Sequence, residues 1–174
     1  DILRHATERG VGVMLCVNNF YDFKNNKDRF GYFKPQGPCE DVRDFFVKRE
    51  CLEIRRALLR YLVNRYSAYT SLVAWELWNE VDYAVSGEEV DIAATEHAMA
   101  RFLHSIDPNG HMVTTSLGWG RVDYDLWNGD EIDIVQFHAY IPSYTLLADY
   151  SVYYDSALFV KKHASDSGGY AKPV

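Results

Sequence analysis

The sequence lacks any long apolar segment and carries little positive charge. No apolar run approaches the roughly 18 to 20 residues that a membrane-spanning helix needs, which argues against an integral membrane protein. Lys and Arg number 18 against 25 Asp and Glu, for a formal net charge of -7. Because nucleic acids and anionic membranes both attract basic surfaces, we expect no partner of either kind.

Cysteine is scarce, and the histidines are scattered. Cys16, Cys39 and Cys51 make an odd count whose spacing fits no metal motif. His97 and His104 fall on one predicted helix, seven residues apart and without clustered ligands. We therefore predict no metal site and no cofactor. Cys16 lies in an apolar run and is expected to be a buried thiol, while the cysteines leave the redox compartment open.

The opening residues, DILRHATERG, are typical of an amphipathic helix and lack the regions of a signal peptide. On this interpretation the chain begins inside a domain. Its 174 residues, 48% of them hydrophobic, are enough for one domain with its own core.

Apolar segments with strand character alternate along the chain with segments of helical periodicity. Strands are predicted over residues 10–19, 71–79, 111–116 and 131–140. Helices are predicted from Asp41 to Tyr66, from a capping box at Ser86 and Glu89 to residue 106, briefly over 122–128, and over 145–164. A further strand is expected to begin near Lys172.

This alternation predicts parallel β/α units, arranged either as an open doubly wound sheet or as a barrel. An open nucleotide-binding sheet usually has a Gly-rich turn that cradles phosphate after a strand. No strand here is followed by one, since Gly118 and Gly120 are too few. The sequence therefore favours an α/β fold of the (β/α)8-barrel type, in which active sites lie at the carboxyl ends of the strands.

Polar and aromatic residues mark those strand ends. The stretch SLVAWELWNEVD begins as a buried strand and ends with Asn79 and Glu80. The other predicted strands end with Asn18 and Asn19, with Ser116 and Trp119, and with His138 and Tyr140.

Glu80 is the candidate acid of this set. Neighbours on a strand face opposite sides, so Asn79 and Glu80 can serve one site only if the strand ends or bulges between them. A glutamate at such an edge, walled by aromatics, would keep its proton through desolvation and could donate it to a leaving oxygen. The alternative, a solvent-exposed capping or salt-bridging residue, stays open. Glu76 is expected to be structural with an arginine partner, and Asp82 a loop residue.

His138 and Tyr140 are two residues apart and therefore share one face of their strand. Their imidazole and phenol form a hydrogen-bonding pair suited to a sugar or a carboxylate nucleophile. Ser116 lacks a Gly-x-Ser-x-Gly context, which argues against a serine nucleophile.

These motifs resemble a known family. WELWNE, followed two strands later by HAY, is similar to the clan of retaining (β/α)8-barrel glycoside hydrolases, and most similar to glycoside hydrolase family 5, the cellulases and β-mannanases. The passages RYLVNRYSAYTSLVAWELWNE and DPNGHMVTTS also look like the family's approach to strands four and five. The resemblance covers essentially the whole chain, from strand three to the beginning of strand seven.

The resemblance implies a role for each residue of these motifs. Glu80 would be the general acid/base, and Asn79 would hold the 2-hydroxyl of the sugar. His138 would contact sugar and Tyr140 would lie near the nucleophile. Aromatics that could stack on sugar rings are Trp78, Trp119, Tyr32 and Phe33, with core or loop packing as the alternative for each.

The resemblance also implies that part of the enzyme lies outside this sequence. In the family the nucleophilic Glu ends strand seven, and here the sequence stops at AKPV. We therefore expect residues 1–174 to be part of one catalytic domain, incomplete at both ends and inactive alone. The implied activity is retaining hydrolysis of a β-linked polysaccharide, a β-mannan or β-glucan, by a secreted or periplasmic protein. A carbohydrate-binding barrel without catalysis, or a metabolic barrel acting on phosphorylated substrates, would be the rival.

Overall fold

Four apolar segments form the strands of one parallel sheet. The computed structural model describes residues 1–86, 89–118 and 123–138. Its strands are β1 (Val13–Asn19), β2 (Leu72–Asn79), β3 (Met112–Leu117) and β4 (Ile134–Phe137), and they lie side by side in chain order. Parallel neighbours in chain order, each joined by a crossover with helix, are what a β/α barrel requires. The predicted fold class, a partial (β/α)8 barrel, is confirmed.

Helices connect the strands and cover the sheet. They are α1 (Ile2–Arg9), α2 (Phe20–Asn25), α3 (Val42–Val47), α4 (Arg49–Tyr66), α5 (Val81–Ala84), α6 (Ile92–Ile106) and α7 (Tyr124–Asn128). The opening helix ends where Gly10 adopts a left-handed conformation, with φ 66°. The helix predicted over 145–164 and the strand expected from Lys172 lie outside the described residues.

Two predicted helix starts need comment. The Asp41 cap is confirmed, since its carboxylate accepts a hydrogen bond from the Asp44 N–H at 2.9 Å. The helix it begins is interrupted, however, because Lys48 has extended backbone (ψ 127°) and separates α3 from α4. The capping box at Ser86 is wrong: α6 begins five residues later, where Asp91 accepts from the Ala94 N–H at 2.8 Å and satisfies a free donor of the first turn.

Aromatic side chains form the core beneath the carboxyl ends of β1 and β2. Phe23 lies at its centre, with ring centroids 4.6 Å from Phe45 and 4.9 Å from Trp78. All three side chains are fully buried. Edge-to-face contacts of this kind stabilise a core beyond the area that they bury, so the segment after β1 is held firmly against the sheet.

A buried ion pair joins α4 to α6. The Arg55 guanidinium donates to the Glu96 carboxylate at 2.6 Å and lies over the Phe45 ring, 4.7 Å from its centroid. Burial raises the pKa of Glu96, although the neighbouring Arg55 opposes the shift. Breaking such a pair leaves an uncompensated charge in the core and is strongly destabilising.

A disulfide between Cys39 and Cys51 ties the segment after β1 to the start of α4. Both cysteines are fully buried. The spacing of the cysteines gave no sign of this pairing, because disulfide connectivity depends on three-dimensional proximity.

The expectation that Cys16 is buried is wrong for the residue as a whole, which is exposed at the β1 edge of the described sheet. Its sulfur nonetheless lies close to Glu76, its partner in the β1–β2 register. Desolvation of the sulfur, followed by the negative charge of Glu76, raises the pKa of Cys16 to about 12. The thiol therefore stays protonated at neutral pH and is a poor nucleophile.

Asp107 joins the end of α6 to β2 and β3. Its carboxylate accepts from Trp75 Nε1 at 2.9 Å and from His111 Nδ1 at 2.7 Å, and from the Asn109 N–H at 3.1 Å. Burial acts to raise the pKa of Asp107, but these hydrogen bonds outweigh it and lower the pKa. The interaction therefore stabilises the fold above the pKa of an unfolded aspartate and is lost as the pH falls through the lowered pKa.

We predict that Asp107→Asn lowers the free energy of unfolding by about 2 kcal/mol at neutral pH, because hydrogen bonds to a charged acceptor are lost. Urea unfolding of the purified protein, followed by tryptophan fluorescence, measures the change. The difference between wild type and variant should shrink as the pH falls below about 4. A difference that is constant from pH 7 to pH 3 would contradict the ionic role of Asp107.

Candidate active site

The polar residues predicted at the strand ends come together at one edge of the sheet. Asn79 ends β2, Glu80 follows it, Ser116 lies near the end of β3, and His138 follows β4. The β3–β4 pairing continues through this point, since the His138 N–H donates to the Leu117 carbonyl at 2.8 Å. Parallel strands carry their carboxyl ends to the same edge, and three elements distant in sequence therefore meet there.

Glu80 has an unusual backbone. Its φ of 54° and ψ of 56° lie in the left-handed region, and it is the only non-glycine residue with positive φ in the described part of the chain. This conformation ends β2 and turns the chain into α5, as required for Asn79 and Glu80 to serve one site. For a non-glycine residue this conformation costs roughly 1 kcal/mol or more in free energy. The surrounding contacts must therefore stabilise the left-handed backbone of Glu80.

Those contacts come from β3 and α5. The Glu80 N–H donates to the Ser116 hydroxyl oxygen at 2.9 Å. Two residues on, the buried Asp82 carboxylate accepts from the Gly118 N–H at 2.9 Å. Gly118 must be small, because a Cβ atom there would come within 2.3 Å of the Tyr83 ring. Asp82 was predicted to be a loop residue; it instead joins α5 to the end of β3, and only the fold places these two segments side by side.

The Glu80 carboxyl is buried and paired with His138. Glu80 is 2% exposed, and its Oε1 lies 2.8 Å from His138 Nδ1. Glu80 is thus not solvent-exposed, and its side chain makes no capping hydrogen bond, but its contact with His138 has the geometry of an ion pair. Among the described residues, His138 is the one whose side chain contacts the Glu80 carboxyl, and a positioned carboxyl of this kind is suited to general acid/base chemistry.

The amides at the ends of β1 and β2 differ in their surroundings. Asn79 is half-buried, and its side chain has no hydrogen-bond partner among the described residues. Asn18 is buried and donates to the Leu77 carbonyl at 3.1 Å. Asn19 caps α2 through the Asp22 N–H at 2.9 Å. Asn79 is thus the amide of the three that is available to a ligand.

The proposed stacking role of Trp78 is not compatible with its position. Trp78 is fully buried, and its ring lies 5.5 Å from Phe46 in a stacked arrangement. The strand presents this side chain to the aromatic core instead of to the open edge. Tyr32 and Phe33 are buried as well, and burial raises the pKa of the Tyr32 phenol to about 12. These three aromatics are core residues.

Trp119 and Tyr140, the remaining predicted binding residues, lie outside the described residues. Their roles stay predictions. No cluster of three or more potential metal ligands occurs within residues 1–86, 89–118 and 123–138. No helix in that part of the chain is long and apolar enough to cross a membrane.

Sequence reasoning missed Gln136 and misjudged the partner of Glu76. Glu76 is 4% exposed, and its Oε1 accepts from Gln136 Nε2 at 3.0 Å. Among the described residues no arginine pairs with Glu76, so the expected arginine partner is wrong there; β4 presents an amide where the burial rule suggested a cation. The signal available in the sequence was spacing: Gln136 and His138 are two apart and so face the same side of β4.

Sequence comparison finds relatives that are named as mannosidases. Mannan endo-1,4-beta-mannosidase F of Aspergillus fumigatus is 27% identical over 115 residues, which cover 66% of this chain and 25% of that protein. An Arabidopsis thaliana protein whose name also contains mannan endo-1,4-beta-mannosidase is 26% identical over 122 residues, covering 63% of this chain and 30% of the relative. The chain is glycoside hydrolase-like. No family model matches it.

The fold of this glycoside hydrolase-like chain is also found in a solved structure. A beta-glucuronidase from an uncultured Clostridium species superimposes with a TM-score of 0.60 at 19% identity, over 97% of this chain and 26% of that one. At that identity the similarity concerns the fold alone. The chain spans about a quarter to a third of the relatives it matches.

We predict that Glu80→Gly is more stable than Glu80→Ala by about 1 kcal/mol, because glycine adopts positive φ without strain. Both variants remove the carboxyl, so their difference isolates the backbone. Thermal or urea unfolding measures it.

The matched control is Glu53, an exposed residue inside α4. There the order should reverse, since glycine destabilises a helix interior by about 1 kcal/mol relative to alanine. The same order at both positions would contradict the left-handed backbone at Glu80.

Proposed function

We propose that this chain is part of a retaining glycoside hydrolase that cleaves a β-linked polysaccharide, with Glu80 as its general acid/base. The observation that supports this best is the buried Glu80 carboxyl, held 2.8 Å from His138 at the carboxyl edge of a parallel sheet. Barrel enzymes of this architecture place their catalytic groups at that edge. The names of the relatives agree with a glycosidase.

In this proposal Glu80 acts twice. It first protonates the glycosidic oxygen as the bond to the sugar breaks, and then, as a carboxylate, it removes a proton from the water that releases the sugar. The half-buried Asn79 would hold a sugar hydroxyl beside it. The nucleophile would be a second carboxylate, about 5 to 5.5 Å from Glu80.

The proposed substrate is a β-mannan, with β-glucan as the alternative. The names of the relatives from Aspergillus fumigatus and Arabidopsis thaliana favour mannan. The net charge of -7 is compatible with a neutral polysaccharide, which needs no basic surface for binding.

We further propose that the protein works outside the cytoplasm, in a secreted or periplasmic location. The buried Cys39–Cys51 disulfide supports this proposal, because such bonds persist in oxidising compartments. Polysaccharides too large to enter a cell also require an enzyme on the outside.

The test is Glu80→Gln in the whole protein that contains this chain. We expect kcat/KM on β-mannan to fall by about 10²- to 10⁴-fold, the usual contribution of a general acid/base. An aryl glycoside whose phenol leaves without protonation should retain most of its first chemical step, visible as a burst of phenol. Added azide should restore turnover, because it needs no general base to attack the intermediate.

Glu131→Gln is the matched control. Glu131 pairs with Arg101 at the surface, so the same chemical change there should leave kcat/KM within about twofold. Unchanged mannan hydrolysis by the Glu80 variant would refute the acid/base assignment. Binding of mannan without any hydrolysis by the wild type would instead indicate a carbohydrate-binding barrel.

A further inference from the structure

A line of hydrogen-bonding groups runs along the sheet from Glu76 to Glu80. Glu76 Oε1 lies 3.0 Å from Gln136 Nε2, which lies 3.4 Å from His138 Nε2. His138 Nδ1 in turn lies 2.8 Å from Glu80 Oε1. Two carboxyl groups are therefore connected through one amide and one imidazole, drawn from β2 and β4.

Glu76 determines the orientation of the Gln136 amide. A carboxylate only accepts hydrogen bonds, so it requires the NH2 end of the amide on its side. The amide oxygen then faces the Thr114 hydroxyl, 3.4 Å away. Gln136 is left with a second N–H, and His138 Nε2 lies 3.4 Å from the same amide nitrogen.

The amide in turn favours one tautomer of His138. A ring nitrogen that accepts from Gln136 carries no proton, so in the neutral ring the proton is on Nδ1. That N–H is directed at Glu80 Oε1, the shortest contact of the series. The carboxylate of Glu76 therefore sets the direction of each hydrogen bond in the series, as far as the one that His138 donates to Glu80.

We propose that Glu76 and Gln136 are positioning residues, which hold His138 in its Nδ1–H tautomer so that it donates to Glu80 throughout the reaction. This inference rests on the proposed acid/base function of Glu80. Oε1 can accept from His138 whether Glu80 is protonated or ionised, and the catalytic proton is then confined to Oε2. With the other tautomer, Nδ1 would accept, and the Glu80 proton would turn toward His138 and away from the glycosidic oxygen.

The burial of Glu76 argues for such a role. Within the described part of the chain no Lys, Arg or His forms an ion pair with this carboxyl, although it is almost fully buried. A buried carboxylate without a cation is costly, and an apolar or hydroxyl side chain would fill the strand position at lower cost. The cost is understandable if the charge is needed to orient Gln136.

The experiment uses the whole protein with 15N-labelled histidine. A long-range 1H–15N spectrum distinguishes protonated from unprotonated ring nitrogens, and the signals missing from His138→Gln assign the ring. We expect Nδ1–H in the wild type and a substantial population of Nε2–H in Glu76→Gln, whose neutral amide no longer fixes Gln136. Gln136→Met, which keeps the volume but removes the amide, should give the same spectral change.

Kinetics supply the second readout. Both variants should lose about tenfold or more in kcat on mannan with little change in KM, because binding is untouched while the acid is misdirected. The double variant Glu76→Gln/Gln136→Met should lose no more kcat than either single variant, because the two residues act on His138 in series. An aryl glycoside with an acidic phenol should show a smaller loss.

Glu96→Gln is the matched control, a second buried carboxyl that pairs with Arg55 and not with this series. It should lower the free energy of unfolding but leave the His138 spectrum and kcat unchanged. An Nδ1–H tautomer that persists in both Glu76→Gln and Gln136→Met would overturn the proposal, as would the same spectral change in Glu96→Gln. Because the spectrum needs no turnover, a protein without glycosidase activity would refute the proposed function while the tautomer result still decides the role of Glu76.

Discussion

The turn at Glu80 is the constraint on which the candidate site depends. Its left-handed backbone ends β2 between Asn79 and Glu80 and turns the chain into α5. The conformation is unfavourable for a residue with a Cβ atom. It is held because Ser116 accepts the Glu80 N–H and Asp82 accepts the Gly118 N–H, which fasten the turn to β3. Backbone strain and the geometry of the candidate site are therefore connected at one residue.

Side-chain hydrogen bonds also connect β2 to more distant parts of the sheet. The contact between Glu80 and His138 joins β2 to the end of β4, with β3 between them. Below it, Glu76 and Gln136 make a second connection between the same two strands. Two polar contacts that span an intervening strand are possible because side chains at alternate positions project to one face. The arrangement explains why a predominantly apolar sheet retains buried polar groups on that face.

Prediction from sequence succeeded where the signal is local. Periodicity gave the parallel β/α order, and the position of Glu80 and His138 at strand ends was visible in WELWNE and in HAY. Prediction failed where tertiary packing decides the environment of a side chain. Trp78 is an aromatic residue of the kind that stacks on sugar rings, yet it packs among Phe23, Phe45 and Phe46. The capping box at Ser86 was a plausible start for α6, but Asp91 caps the helix. A local sequence pattern does not show which of two suitable residues, Ser86 or Asp91, caps the helix.

The sequence alone determined the class of fold and the strand edge at which Glu80 and His138 lie, because alternation and residue type act over a few positions. The tertiary structure decided which groups meet. The Cys39–Cys51 disulfide, the partner of Glu76 and the link from Asp82 to Gly118 all join residues 12 to 60 positions apart. Such pairs depend on strand register and helix packing, which no single stretch of sequence encodes.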